Sequence, residues 1–211
     1  MKQLTFIALI IAFCLQTGFS QRYEQKRNTI GVHCGMNIAT MTSHKLMATL
    51  KKDFMFGVSD KILLTVYTPL YIETGIYMSW KGYKIKGFHD SDTKLWYAQM
   101  PVMLNYHLYF NRRKTVYIDP HAGIYYAYGF KGKRKYEEQE INVIKEKEIK
   151  CSDWGIIAGV GIGIYNAHIG VRYEMGLSDV ANSNLQTDYN QEMGYDNLRN
   201  RTLSVYIGVN F

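Results

Sequence analysis

Asn200-Arg201-Thr202-Leu203-Ser204-Val205-Tyr206-Ile207-Gly208-Val209-Asn210-Phe211 is the stretch whose reading decides the fold. Successive side chains of an extended strand point to opposite faces. Leu203, Val205, Ile207, Val209 and Phe211 therefore share one face, and Thr202, Ser204, Tyr206, Gly208 and Asn210 share the other. One face is apolar, the other polar or small, and the period of two is held to the final residue.

Seven earlier segments repeat this alternation. In the first, Ile30, Val32, Cys34, Met36 and Ile38 oppose Gly31, His33, Gly35 and Asn37. The second, near Phe56 to Tyr67, is the least regular, with Ile62, Leu64 and Val66 against Leu63, Thr65 and Tyr67. The third, Leu70 to Tyr83, sets Leu70, Ile72, Thr74, Ile76, Met78 and Trp80 against Tyr71, Glu73, Gly75, Tyr77, Ser79 and Lys81. The fourth runs from about Trp96 to Phe110 and the fifth from about Thr115 to Phe130, where Pro120 lacks an amide donor and predicts a bulge or an unpaired position. In the sixth, Ile156, Ala158, Val160, Ile162 and Ile164 oppose Gly155, Gly159, Gly161 and Gly163. The seventh, Ala167 to Ser178, opposes Ile169, Val171, Tyr173, Met175 and Leu177 to His168, Gly170, Arg172, Glu174 and Gly176.

The connections alternate too. Short turns at Thr68-Pro69, at Asn111 to Lys114 and at Asn166 alternate with longer joins over about 40 to 55, 84 to 94, 131 to 151 and 179 to 199. Short turns on one side and long loops on the other are the layout of a transmembrane barrel with both termini in the periplasm. The expected fold is an all-β, eight-stranded antiparallel up-and-down transmembrane β-barrel. Trp80, Trp96 and Trp154 then fall on the apolar parity near the extracellular rim, as an aromatic belt should, with Phe110 and Phe211 toward the opposite interface.

A soluble ligand-binding barrel would share the periodicity but turn its apolar face inward. Here the polar face is crowded with glycine and carries Glu73, Asp119, Arg172, Glu174, His33, His107, His121 and His168. Eight strands leave an interior just wide enough for side chains. Glycine opposite long polar chains fills such a space, whereas an apolar face turned to water would exceed what soluble monomers expose.

Met1 to Ser20 has the layout of a secretory signal: Lys2, an apolar run from Leu4 to Leu15, and small residues through Ser20. The expected domains are a signal peptide over 1–20, cleaved near Ser20, and a barrel over 21–211. A lipoprotein signal at Cys14 fails because Phe13 sits where a small residue is needed. The apolar run is too short for a membrane-spanning helix. Without it, 191 residues carry 24 basic and 18 acidic side chains. The signal peptide argues against a nucleic-acid partner, and the alternating charges of Lys131 to Lys150 suit a solvated loop near anionic lipid headgroups. That stretch is expected to extend the fifth and sixth strands as a hairpin, with Lys133 to Lys135 opposite Glu146 to Glu148. Cys34 and Cys151 are expected as free thiols.

Chemistry is harder to find. Arg172 and Glu174, with Glu73, Asp119 and His121, could form a gate or a proton-linked site, but buried charges need partners and a neutralised structural network is the expectation. The lumen histidines have no metal-ligand spacing. His89-Asp90-Ser91-Asp92 has hydrolase residue types without a scaffold to position them. The sixth-strand glycines form no phosphate cradle. No catalytic residue, metal or cofactor is expected.

The chain resembles the small outer-membrane β-barrel proteins of Bacteroidetes-type bacteria, the PorT-like or porin-family group. The resemblance is carried by Gly31 to Asn37, Leu70 to Gly82, Pro101 to Tyr106, Ala122 to Tyr125, Arg172 to Leu177 and Asn200-Arg201-Thr202, and covers nearly all of the chain after the signal. The closing strand is similar to the insertion signal of such barrels, which implies recognition of Phe211 by the barrel-assembly machinery. The resemblance implies location in the outer membrane, surrounded by its lipid, as a monomer. It specifies fold far better than activity, and the secretion-system role of PorT itself does not transfer on fold alone. Two function classes stay open: a structural or interaction barrel whose long loops contact an envelope or extracellular protein, and a narrow pore or transporter for small solutes.

Overall fold

The computed structural model describes residues 27–42, 48–65, 67–85, 91–136, 139–144, 149–181 and 198–211. Among them, eight long strands follow the alternation: β1 (Asn28–Thr42), β2 (Lys51–Leu63), β3 (Leu70–Ile85), β4 (Ser91–Tyr106), β5 (Val116–Tyr136), β6 (Ser152–Ile164), β7 (Ala167–Gly176) and β8 (Arg199–Asn210). Each pairs antiparallel with its neighbours in sequence. β1 then pairs β8 in continuous register from Gly31↔Asn210 to Thr42↔Arg199, which closes the barrel and leaves no open edge.

Side-chain direction follows parity. On β8, Leu203, Val205, Ile207 and Phe211 are exposed, whereas Asn200, Thr202, Ser204, Tyr206 and Asn210 are buried. The same inversion holds round the wall, where Ile30, Val32, Phe56, Ile76, Leu104, Ile124, Ile162 and Ile169 all point outward. From Leu70 to Trp80 the outward face covers about 33 Å of strand at about 3.3 Å per residue. Tilted by about 40°, that gives an apolar band about 25 Å tall, the height of a hydrocarbon core crossed by a barrel.

Two local expectations change, the loop over 40 to 55 and the place of the second strand, and the one at Pro120 is decided between its two alternatives. β1 continues to Thr42 and β2 begins at Lys51, so strand occupies much of the loop expected over 40 to 55. The inward positions of β2 are Lys51, Asp53, Met55, Gly57, Ser59 and Lys61, and the charged ones among them disguise its alternation. The centre of β2 therefore lies earlier in the chain than Phe56 to Tyr67. At Pro120 the expected unpaired position is found rather than a bulge: β5 runs in unbroken register with β6 through Pro120↔Val160. On the β4 side the ladder lapses after Asn105↔His121 and resumes at Leu108↔Ile118, and the amide of His107 donates to the carbonyl of Pro69 instead. The register shift in the β4–β5 ladder lies between Trp96 and Tyr97, with Phe130 as the extra residue.

Finally, the hairpin above β5 pairs Arg134–Tyr136 with Gln139–Ile141; Glu146 to Glu148 lie outside the described residues. So do the expected signal segment and His89-Asp90. Of the expected long joins, 84 to 94 narrows to the stretch between Ile85 and Ser91, and residues 182–197 of the last lie outside the described set.

Candidate functional site

The interior of the barrel holds the chemistry-bearing residues, and β6 shows why they fit. Gly159, Gly161 and Gly163 lie opposite His121, Asp119 and Tyr117 on β5, and opposite Arg172, Gly170 and His168 on β7. A Cβ at Gly163 would enter the Tyr117 ring, and one at Gly161 would enter the His168 ring. The glycines are the hollows into which the long inward chains of neighbouring strands lie.

Lys61 of β2 organises the lower network. Its ammonium lies 2.9 Å from Asp119 and 3.4 Å from Glu73, and all three side chains are buried. Asn105 donates to both carboxylates, at 2.8 Å to Glu73 and 3.2 Å to Asp119. His107 and His168 lie 3.8 and 3.5 Å from Asp119, and His33 lies 3.9 Å from Glu73. His121 packs beside them, its Nδ1 3.0 Å from the carbonyl of Asp119.

A second network sits around Glu174, which meets Lys81 at 2.8 Å, accepts from Gln99 at 2.8 Å and lies 3.8 Å from Arg172 Nε. The Arg172 guanidinium is held between the rings of Tyr77 and Tyr206, at 4.7 and 5.1 Å. Lys81 lies 4.6 Å from the centre of the Tyr125 ring. Above it, Asp153 accepts from Tyr125, Asn200 and Ser178.

Of the residues read from the sequence, Glu73, Asp119 and His121 meet in the lower network, and Arg172 and Glu174 in the upper one. Trp80, Trp96 and Trp154 lie on the outer wall, Trp80 directly across from Trp96. Phe211 is exposed, and its amide donates to the carbonyl of Ile30 at 2.8 Å. Sequence reasoning missed Lys61 and left Lys81 out of the network, although these two supply the cations its carboxylates need. Lys81 shows itself by parity with Glu73 and Ser79; the signal for Lys61 is its even spacing from Gly57 and Ser59. Among the described residues, no group of three His, Cys, Asp or Glu side chains is placed to hold a metal ion, and Cys34 and Cys151 are free thiols.

The mouth above β3 to β6 is filled differently. Met41, Tyr83, Leu95 and Tyr97 of the wall pack with Val143, Ile149, Val180 and Leu198 from the connecting segments, all buried. Backbone bonds hold the cover in place: Val143 to Gly132, Lys150 to Val180, and Val180 to Leu198.

A closed eight-stranded barrel with its apolar face outward and a charged, filled interior defines an outer-membrane type of barrel. The chain belongs to the outer membrane protein beta-barrel domain family, whose model matches residues 19–182. Among solved structures it is similar to Neisserial surface protein A, at 16% identity and a TM-score of 0.52, over 86% of this chain and 97% of that one. It is also similar to OprG of Pseudomonas aeruginosa, at 12% identity and 0.49 over 88% and 97%, and to Ail of Yersinia pestis, at 13% and 0.45 over 88% and 100%. The first of these supports the fold alone. No curated protein sequence matches the chain.

Proposed function

We propose that the protein is a sealed, non-catalytic barrel, monomeric in the outer membrane, which acts through its long connections on an envelope or extracellular protein. The observation that carries this reading is the filled interior: Lys61, Glu73 and Asp119 below, Lys81, Arg172 and Glu174 above, and the apolar cover over the mouth. Channels that pass solutes through open water use about sixteen strands, whereas eight leave room for side chains alone. In this reading both termini are periplasmic, residues 1–20 are the removed signal, and the connections between β5 and β6 and between β7 and β8 carry the recognition surface. Trp80, Trp96 and Trp154 form the belt of the outer interface. The test is conductance in planar bilayers. No steady current is expected, and none should appear in Arg172→Ala; stable, ion-selective channels that change selectivity in that variant would establish the pore instead. Crosslinking from loop 131 to 151 in intact cells then identifies the partner.

The strand motifs that resemble the PorT-like group support placing the chain near it, and a secretion-system role would show as loss of secreted proteins in a deletion strain. Phe211, exposed at the end of β8, is the signal read by the barrel-assembly machinery. Deleting it should lower the inserted amount without altering the barrels that do insert, and unchanged insertion at native expression would refute the role.

A further inference from the structure

On the outer wall the apolar series of β2 is broken at one place. Its outward residues run Phe54, Phe56, Val58, Asp60 and Ile62, so a carboxylate takes the position of a hydrocarbon side chain. Asp60 stands across from Ile30 on β1 and from Thr74 on β3. Val32, Val58, Ile62 and Ile76 are the next outward residues along the same three strands, and all are exposed. Thr74 lies four residues beyond Leu70, about 10 Å up the apolar band at a tilt of about 40°. Asp60, beside it, is therefore inside the band, in the half nearer the short turns. An aspartate side chain is too short to lift its carboxylate to the headgroups from there.

The chain gives this carboxylate no partner. Among the described residues no cation pairs with it, and its Oδ1 is buried in the wall without a hydrogen bond. Thr74 is engaged elsewhere: its hydroxyl donates to the carbonyl of Pro101 at 3.0 Å, where the β3–β4 ladder lapses between Thr74↔Val102 and Tyr77↔Gln99. Between the rows of Leu70 and of the tryptophans, Asp60 is the only outward residue of the described strands with a carboxylate, ammonium, guanidinium or imidazole. The nearest outward cation on β2 is Lys52, about 26 Å further along the strand. An ionisable side chain at membrane depth is costly when unpaired and marks a pathway or a contact. Asp60 points away from the filled interior, which leaves a contact.

We propose that the wall of β1, β2 and β3 is an interaction surface within the membrane, on which Asp60 receives a lysine or arginine from a membrane-spanning segment of a partner protein. Charge complementarity selects the occupant. A second copy of this chain has no outward cation at this depth among its described residues, and the amine of a lipid stays in the headgroup layer. A spanning segment can carry a long basic side chain to the depth of Asp60, while Ile30, Val32, Val58 and Ile76 pack against the rest of it. This contact is additional to the one proposed for the long connections, and it holds whichever rim faces outward.

The test uses a synthetic leucine-alanine spanning helix with one lysine about 9 Å from its end and a cysteine four residues further in, on the same face. Cys34, exposed on β1 four residues beyond Ile30, is the native reporter in a chain with Cys151→Ser. In phosphatidylcholine bilayers under mild oxidation, disulfide capture at Cys34 should run about tenfold faster or more with the lysine helix than with a leucine helix of the same design. Asp60→Asn should bring the lysine helix to the leucine rate, and Asp60→Glu should keep the advantage. Equal rates for the two helices on the chain with Asp60 would refute the site, an arm that decides the matter if Asp60→Asn fails to fold. A lysine advantage that survives in folded Asp60→Asn would refute the residue. Adding phosphatidylethanolamine should leave the rates unchanged; suppression would make the occupant a lipid amine. Barrel dimers joined through Cys34 that vanish in Asp60→Asn would make it a second copy. Either result would overturn the proposal, and neither touches the sealed interior, which conductance tests separately.

Discussion

The lower interior and the mouth fill the same tube by opposite means. In the lower interior Lys61 sits between Asp119 and Glu73, with Asn105 bridging the carboxylates. At the mouth Leu95 and Tyr83 meet Val143, Ile149, Val180 and Leu198. The lower packing is made between strands whose positions the barrel ladder fixes. The upper packing is made between the wall and segments that fold back onto it. Charges can be matched within angstroms where the register is rigid, whereas dispersion and burial tolerate the looser geometry of a cover. One consequence is that the two regions should fail differently.

The largest effect is expected below. Lys61→Met leaves Asp119 and Glu73 buried without their cation, and breaking a buried pair from one side costs about 3–5 kcal/mol. The urea midpoint of the heat-modifiable folded band should fall accordingly. Adding Glu73→Gln and Asp119→Asn, so that no charge is left uncompensated, should recover much of the loss. A midpoint unchanged in Lys61→Met would break the contrast, because the ion network would then be incidental to stability.

At the mouth the effect should be smaller and local. Leu95→Ala removes a fully buried wall side chain against which the cover packs, at about 2–3 kcal/mol for a site able to relax. Proteolytic clipping between Lys131 and Cys151 should quicken while the shift between unboiled and boiled samples persists. Joint loss of the folded band would mean that cover and barrel are one cooperative unit.

The smallest effect sharpens the boundary between them. Partial burial opposes the charged form of Asp92, but the hydrogen bond and charge of Lys51, with Lys84 beside it, outweigh that and hold the carboxyl below the usual aspartate range. Its stabilising contribution is therefore full above the unfolded-state value and is lost as pH falls through the lower folded one. Asp92 is partly open to solvent, and screening limits the contribution to less than about 1 kcal/mol. Clipping of the mouth should quicken slightly between those two values in the unmodified chain and be flat over that window in Asp92→Asn. The same slope in both chains would assign it elsewhere.

Most of the wall was legible in the sequence because parity is a property of the backbone alone. Leu203 to Phe211, Ile30 to Ile38 and the glycines of β6 each announced which face was inward. β2 was misplaced for a physical reason: Lys51 and Asp53 are charged residues on an inward face, and they read as loop until Asp92 and Lys94 are known to lie beside them. Parity likewise showed that Glu73, Asp119, Arg172 and Glu174 point inward, but which cation meets which carboxylate depends on strand register across the barrel. Lys61 and Asp119 are 58 residues apart and come together only when the sheet closes. The cover was illegible because Val143, Ile149, Val180 and Leu198 come from short apolar spots in polar stretches, without a sustained period to mark them.

The most direct test of the account is a parity scan of β8. In a chain with Cys34 and Cys151 replaced by serine, single cysteines from Leu203 to Ile207 carry a fluorophore in reconstituted bilayers, and each is challenged with a lipid-borne and a water-soluble quencher. Labels at 203, 205 and 207 should be quenched from the lipid. Labels at Ser204 and Tyr206 should be shielded from both quenchers, because that face is outside the lipid and the interior is filled. Quenching of 204 and 206 from the lipid would invert the wall, and quenching of them from water would show an open pore; either result would contradict the sealed barrel.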